Sequence, residues 1–296
     1  MAKVFITGGD SFTGTHLRGA LHQQGYETFC STNSGTTGSE WYDCDITDRS
    51  QITRVVADVQ PDYIIHLAGI SFAAHPNPAE IYNANLFGTE NLLHAAANAS
   101  PGVRKILLAS SANVYGVTET EVQDEALCPA PVNHYAGSKL AMEHMAATWF
   151  ERLPIILTRP FNYTGRGQTE TFLIPKIVAH FARRAPTIEL GNIDVSRDFS
   201  DVRDVCASYI GLMESGASST VANICSGQLT SLQDIIEHCR DLAGHTIDVT
   251  VNPDFVRKNE IKKLCGSNAR LQALAGPLEF RPIRETLDWM LSSQRT

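Results

Sequence analysis

Val4-Phe5-Ile6-Thr7-Gly8-Gly9-Asp10-Ser11-Phe12-Thr13-Gly14 stands near the start of the chain. Its first four residues are apolar or β-branched and read as a short strand, and the pattern from Gly14 to Gln24 reads as a helix. Between them the glycines permit a tight turn, which carries backbone N–H groups and a helix N-terminus to one point. A pyrophosphate is the ligand such a turn favours, so Gly8, Ser11, Phe12 and Gly14 are expected to hold a dinucleotide. Ser11 occupies the place of a usual second glycine; its hydroxyl either hydrogen-bonds the pyrophosphate or keeps it slightly further out. The plain alternative is a strand-to-helix turn without a ligand, in which Asp10 is an ordinary helix-start acid.

The same rhythm continues outward. Glu27–Cys30, Tyr63–Leu67, Lys105–Ala109 and Ile155–Thr158 read as strands. They alternate with helical patterns over Ile52–Val59 behind Asp48, Ala79–Ala97 with Asn77-Pro78 as cap and first turn, and His134–Trp149. Such alternation predicts an α/β fold, a doubly wound parallel (Rossmann) sheet whose ligand loops follow Thr7, Leu67, Ser110 and Thr158. After Asn162 the pattern loosens, with helices expected near Phe172–Arg183, Val202–Met213, Leu232–Ala243 and Ile283–Leu291. Residues 1–162 are therefore expected to form a dinucleotide-binding domain and residues 163–296 a smaller α/β substrate lobe, interleaved with the first. Whether late segments rejoin the first sheet is left open.

With 296 residues, 43% apolar and 19% charged, the composition is that of an ordinary globular protein, which excludes disordered and collagen-like classes. The 24 basic and 32 acidic residues give a net charge of −8, which offers no field for a phosphate polymer, so no nucleic-acid partner is expected. No apolar run approaches the roughly 18 residues of a membrane helix and no signal-peptide stretch is present, so a cytoplasmic protein without a membrane partner is expected. The seven cysteines (30, 44, 128, 206, 225, 239 and 265) are odd in number, contain no C-x-x-C pair, and read as reduced thiols, mostly in the core. No histidine cluster has metal-ligand spacing, so no metal is expected.

Tyr135 and Lys139 are four apart, which on a helix puts both on one face. With 8 tyrosines and 7 lysines, chance supplies roughly 0.2 such pairs, so spacing alone is weak. Context strengthens it: Ser110-Ser111-Ala112-Asn113-Val114-Tyr115-Gly116 puts a hydroxyl at the carboxyl end of a strand. Ser111, Tyr135 and Lys139 together make a proton-transfer set, in which the lysine cation lowers the tyrosine pKa from near 10 and the serine hydrogen-bonds the reacting oxygen. At the end of the second strand, Cys30-Ser31-Thr32-Asn33 has neither a carboxylate for the ribose hydroxyls of NAD nor an arginine for a 2′-phosphate. NADPH or NADH is admitted, and the missing carboxylate favours NADPH. Asp45 and Ile46, after a short third strand, either bracket the adenine or, for Asp45, cap the helix near Asp48.

Together with His66-Leu67-Ala68-Gly69, Asn85-x-x-Gly88-Thr89-x-Asn91 and Arg159-Pro160-Phe161-Asn162 leading into Gly165, these motifs resemble the extended short-chain dehydrogenase/reductase family of nucleotide-sugar enzymes over nearly the whole chain. The resemblance implies that Leu67, Ala68 and Gly69 line the cofactor, that Asn85 is structural and near the active site, and that Asn162 meets substrate. It also implies a homodimer through the helices Ala79–Ala97 and His134–Trp149. Arg197-Asp198-Phe199-Ser200-Asp201-Val202-Arg203-Asp204 is similar to the family's sugar-lobe signature, with acids that cap a helix and position loops and Arg197 as a diphosphate ligand. Arg257-Lys258-Asn259-Glu260 before Gly266 looks like the GDP-sugar segment in which the arginine binds the diphosphate and the glutamate the guanosine ribose. The family's dehydratases carry an acid two places before Tyr115-Gly116; here Asn113 stands there beside Ala112, and neither takes a proton. The resemblance thus implies a GDP-sugar substrate and an NAD(P)H-dependent reduction of the C4 ketone of GDP-4-keto-6-deoxy-D-mannose to GDP-D-rhamnose. A nucleotide-sugar 4-epimerase is the same-fold alternative, and a catalytically idle dinucleotide sensor the alternative from another class.

Overall fold

Strand residues of the first half divide between two separate apolar cores. Phe5, Ile64, Ile106 and Ile155 pack into one, whereas Val4, Ile6, Ile65, Leu107 and Ile156 pack into the other. Successive side chains of a strand point to opposite faces, so this division requires a sheet covered on both sides. The computed structural model, which describes residues 1–72, 75–256 and 262–293, contains that sheet. In chain order the strands are β1 (Lys3–Thr7), β2 (Glu27–Thr32), β3 (Trp41–Asp43), β4 (Tyr63–His66), β5 (Lys105–Ala109), β6 (Val122–Gln123) and β7 (Ile155–Pro160). They continue with β8 (Asn162–Thr164), β9 (Thr187–Leu190), β10 (Ser196–Asp201), β11 (Thr220–Ile224), β12 (Leu229–Ser231), β13 (Asp248–Val251) and β14 (Lys263–Gly266). Seven of them form one parallel sheet in the order β11-β7-β5-β4-β1-β2-β3.

The helices are α1 (Phe12–Gln23), α2 (Arg49–Val59), α3 (Pro78–Tyr82), α4 (Thr89–Ala97), α5 (His134–Ala147), α6 (Leu173–Ala182), α7 (Val202–Glu214), α8 (Leu232–Ala243), α9 (Ala269–Ala275) and α10 (Ile283–Ser292). Ile52, Leu92 and Met142 bring α2, α4 and α5 to one face of the main sheet, and Leu17, Val205 and Leu271 bring α1, α7 and α9 to the other. Helix α1 begins two residues before the expected Gly14 because the Ser11 side chain accepts the Gly14 N–H and so caps an earlier turn. The expected helix over Ala79–Ala97 is continuous, but residues Asn83–Gly88 form a π turn between α3 and α4.

The open question about late segments is answered by α7 and β11. Strand β11 pairs in parallel with β7, from Thr220 opposite Ile156 to Ile224 opposite Pro160, so residues well beyond 162 complete the first sheet. The remaining late strands, joined by β6 from the first part of the chain, build a second, mixed sheet, β12-β10-β14-β6 with β8 also on β10, and a two-stranded pair of β9 and β13. Ile177, Phe181, Ile235 and Leu287 form its core with α6, α8 and α10. Six of the seven cysteines are buried, Cys128 is exposed, and none is in a disulfide. Among the described residues no helix is long and apolar enough to cross a membrane.

Candidate active site

Parallel strands end together, and the loops after β1, β2, β4, β5 and β7 meet along one edge of the main sheet. Two cavities lie there, of about 470 and 440 Å³. Ser11, Leu67, Gly69 and Ile70 line both, so the two are halves of one groove.

The first half gathers Gly8, Ser11, Asp45, Ile46, Leu67, Ala68 and Gly69. Gly8 has φ +67°, and a side chain on Gly14 would start 2.5 Å from the Gly8 carbonyl oxygen, so the turn closes only with glycine at both places. Gly14 is buried beneath the turn and lines neither half. Ser11 accepts the Gly14 N–H, leaving its own proton to donate, and Ser11, Phe12 and Thr13 at the N-terminal end of α1 line the groove. Asp48, not Asp45, is the helix cap, and Asp45 lines the cavity while accepting 2.8 Å hydrogen bonds from the Thr47 N–H and hydroxyl. This backbone cradle, a positive helix end and an elongated groove fit a dinucleotide.

The Asn85-to-Asn91 motif holds this half together. Asn85 Oδ1 accepts the Ile70 N–H at 2.8 Å, and its Nδ2 donates to the Ile70 carbonyl and to Ser138 Oγ of α5. Gly88 makes room for Ile46, and Asn91 Nδ2 donates to the Ile46 and Thr47 carbonyls at 3.1 Å. Behind β4, Thr89 donates to the Asn85 carbonyl and therefore accepts from His66 Nε2, so Nδ1 of the buried imidazole accepts from Thr7, which in turn accepts the Ala68 N–H. Burial, assisted by the Lys139 charge, holds His66 down at about 3, so the ring is neutral.

The second half brings together Phe12, Ser111, Tyr135, Lys139 and Asn162. Ser111 caps a short 3-10 turn, Ala112–Tyr115, accepting the Asn113 N–H, and Asn133 caps α5 so that Tyr135 and Lys139 face the groove from its first two turns. Burial raises the Tyr135 hydroxyl pKa and a hydrogen bond from Ser111 opposes that shift. Lys139 Nζ donates to the Ala109 carbonyl at 2.8 Å; burial lowers its pKa to about 8, against the pull of Glu143 one turn further on. Glu143 is itself buried, accepting from Ser110 Oγ and, in a paired contact, from Arg159 Nε at 2.9 Å and Nη2 at 2.6 Å. Among the described residues, no Asp, Glu or His lines this half.

Arg197 stands elsewhere. It lies on β10, 9% exposed, with Nη1 donating to the Ser196 and Lys262 carbonyls, and lines neither half of the groove. The neighbouring acids act on the backbone: Asp198 accepts from the Ser226 and Gly227 N–H groups, and Asp201 caps α7. Arg257 and Glu260 lie outside the described residues.

One sequence-based expectation needs correction. The end of β2 is not without a carboxylate, because Asp10 Oδ2 accepts from the Thr32 hydroxyl and lines the same cavity as Ser31 and Asn33. Asp10 is 22 residues from Thr32, and only the turn of the chain over β1 and β2 joins them. Glu143 was also unremarked, although its place four residues after Lys139 puts it on the same helix face. Thr13 and Tyr163, hydrogen-bonded at 2.8 Å across the two lobes, carried no local signal.

Residues 4–225 match the family described as the NAD dependent epimerase/dehydratase family. The chain belongs to that family. It is 34% identical to the GDP-6-deoxy-D-talose 4-dehydrogenase of Aggregatibacter actinomycetemcomitans, over 99% of this chain and 98% of that protein. It is equally 34% identical to the GDP-6-deoxy-D-mannose reductase of Pseudomonas aeruginosa, over 98% of this chain and 96% of that protein. The structure of RMD from Pseudomonas aeruginosa complexed with NADPH superposes with a TM-score of 0.86 at 31% identity, covering 100% of this chain and 99% of that one. This member of the epimerase/dehydratase family uses NAD(P).

Proposed function

We propose that the chain reduces the C4 ketone of GDP-4-keto-6-deoxy-D-mannose with NADPH or NADH, giving GDP-D-rhamnose. The observation that carries this reading is the content of the second half-groove: Ser111, Tyr135 and Lys139 with no carboxylate or imidazole beside them among the described residues. Elimination of water needs a base for one proton and an acid for the departing hydroxyl, whereas reduction of a ketone needs only one proton donor. The two GDP-sugar relatives at 34% identity support the substrate class.

The Gly8–Gly14 turn and the first turn of α1 would hold the pyrophosphate, Asp45 and Ile46 the adenine, and Lys139 the nicotinamide ribose. When bound, the reduced nicotinamide supplies a hydride to the substrate carbon. Tyr135 gives its hydroxyl proton to the C4 oxygen as negative charge develops there, and Ser111 hydrogen-bonds that oxygen. The Lys139 ammonium stabilises the tyrosinate left behind. Asn162, exposed to the same space, contacts the sugar, while Arg257 and Glu260 take the GDP end and the second sheet with α6, α8 and α10 supplies the substrate lobe.

Purified protein incubated with GDP-4-keto-6-deoxy-D-mannose should oxidise NADPH or NADH stoichiometrically with sugar. No oxidation with either cofactor rejects the proposal. Tyr135→Phe should lose turnover by roughly 10²–10⁴-fold while still binding cofactor, and normal turnover rejects its role. The relative named a GDP-6-deoxy-D-talose 4-dehydrogenase favours a second product from the same ketone, the C4 epimer formed by attack on the other face. The ring-proton couplings at C4 of the product distinguish the two.

A further inference from the structure

Where the second strand of a dinucleotide-binding sheet ends, a carboxylate that hydrogen-bonds the adenosine ribose selects NAD, and an arginine that binds a 2′-phosphate selects NADP. The last residues of β2 and the residue after it, Ser31, Thr32 and Asn33, provide neither, but all three line the first half-groove together with Asp10. Asp10 lies in the turn between β1 and α1. Its Oδ2 accepts from Thr32 Oγ1, which is fixed in turn by accepting the Ser34 N–H at 3.1 Å. Thr32 is 3% exposed and anchored in the sheet, so this contact holds an otherwise exposed carboxylate over the end of β2.

We infer that Asp10 is the ribose-binding carboxylate of this chain, and that it makes the groove select NADH over NADPH. A free 2′-hydroxyl can donate to the carboxylate, whereas a 2′-phosphate brings a like charge to it. The remainder of the lining reinforces the selection. Asp45 and Glu80 are its other charged residues, and no lysine or arginine lines this half among the described residues. Asp45 is held by Thr47, and Glu80 by Asn77 and His75, so neither is displaced toward the end of β2. The selection is thus carried across the turn from α1, in a place where strand-end sequence alone points the other way.

The test is a titration of the sugar-free protein with NADH and with NADPH, following the fluorescence of the reduced nicotinamide. It is independent of the sugar reading, since it needs no turnover. The wild-type protein should bind NADH at least tenfold more tightly than NADPH, and Asp10→Asn should reduce that ratio at least fivefold, chiefly by improving NADPH. Thr32→Val, which frees the carboxylate without removing it, should weaken NADH with a smaller change in the ratio. Equal or tighter binding of NADPH by the wild type overturns the inference. So does an Asp10→Asn protein whose NADH-to-NADPH ratio is unchanged. Failure of the GDP-keto-sugar assay with normal NADH binding would overturn the proposed reaction and leave this selection standing.

Discussion

Two buried nitrogen bases give this site its pH behaviour. Lys139 is 7% exposed, and burial brings its pKa from 10.5 to about 8. The charged form is the one that can stabilise a tyrosinate, so kcat should fall as pH rises through about 8. The same burial makes the charge a cost to the fold at neutral pH, relieved only as the lysine loses its proton between about 8 and 10.5. Lys139→Met should therefore abolish turnover yet raise stability at pH 7, by up to about 3 kcal/mol, read as a Tm increase of a few degrees. His66 acts in the same sense at lower pH. Its folded pKa of about 3 lies below the ordinary 6.5, so below pH 6.5 the unfolded chain takes up a proton that the folded one refuses. Stability should fall on acidification by at most about 1.4 kcal/mol per pH unit, and urea melts of His66→Asn between pH 7 and 5 should show a shallower slope.

At the scale of elements, the helix from α3 through α4 is distinguished by its π turn. A π turn inserts one residue into the hydrogen-bond ladder, and such insertions often accompany functional sites. Here Asn85 sits in the turn, 0% exposed, and its amide spans from the loop after β4 to Ser138 on α5. Gly69 completes the fit, because a side chain there would begin 2.5 Å from Asn85 Oδ1. Asn85→Ala leaves the Ile70 N–H and carbonyl without this partner, and should cost about 2–4 kcal/mol in chemical denaturation. Since Gly69 and Ile70 line both halves of the groove, cofactor affinity should drop in the same variant. A variant that lost stability but bound cofactor normally would separate the two roles and reject the loop as a cofactor element.

For the whole molecule, the Glu143–Arg159 pair is the junction. Glu143 belongs to α5 and Arg159 to β7, both about 5% exposed, and the guanidinium lies 4.9 Å over the Tyr115 ring. Tyr115 donates to Asn223 on β11, and Asn223 donates in turn to the Gln123 carbonyl on β6, so the contacts run from the main sheet into the second one. Removing one partner strands a buried charge, so Glu143→Leu should cost about 3–5 kcal/mol. Glu143→Leu with Arg159→Met removes both charges and should recover most of that loss, as measured by urea unfolding. Glu143 also raises the pKa of Lys139 one turn before it and accepts from Ser110 beside Ser111, so the double variant should show a slower kcat even when stability returns.

The core of the main sheet and the meeting of Ser111, Tyr135 and Lys139 in one half-groove were legible locally, for a physical reason. Strand and helix periodicities, the Gly8–Gly14 turn and the Tyr135–Lys139 spacing are all short-range consequences of backbone geometry, and Ser111 follows from the rule that ligands sit beyond strand ends. The return of α7 and β11 to the first sheet was not, because a strand's pairing partner depends on which edge is left open rather than on its own residues. The carboxylate at the end of β2 was not legible either: Asp10 reaches Thr32 only because β1 and β2 lie side by side with Thr7 opposite Ser31. Glu143 and Arg159, and Thr13 and Tyr163, are likewise joined across separate elements. Local sequence thus determined which backbone shapes and which chemical groups exist, and tertiary structure decided which charges face one another, since Coulomb and hydrogen-bond energies depend on distances that only the packed chain sets.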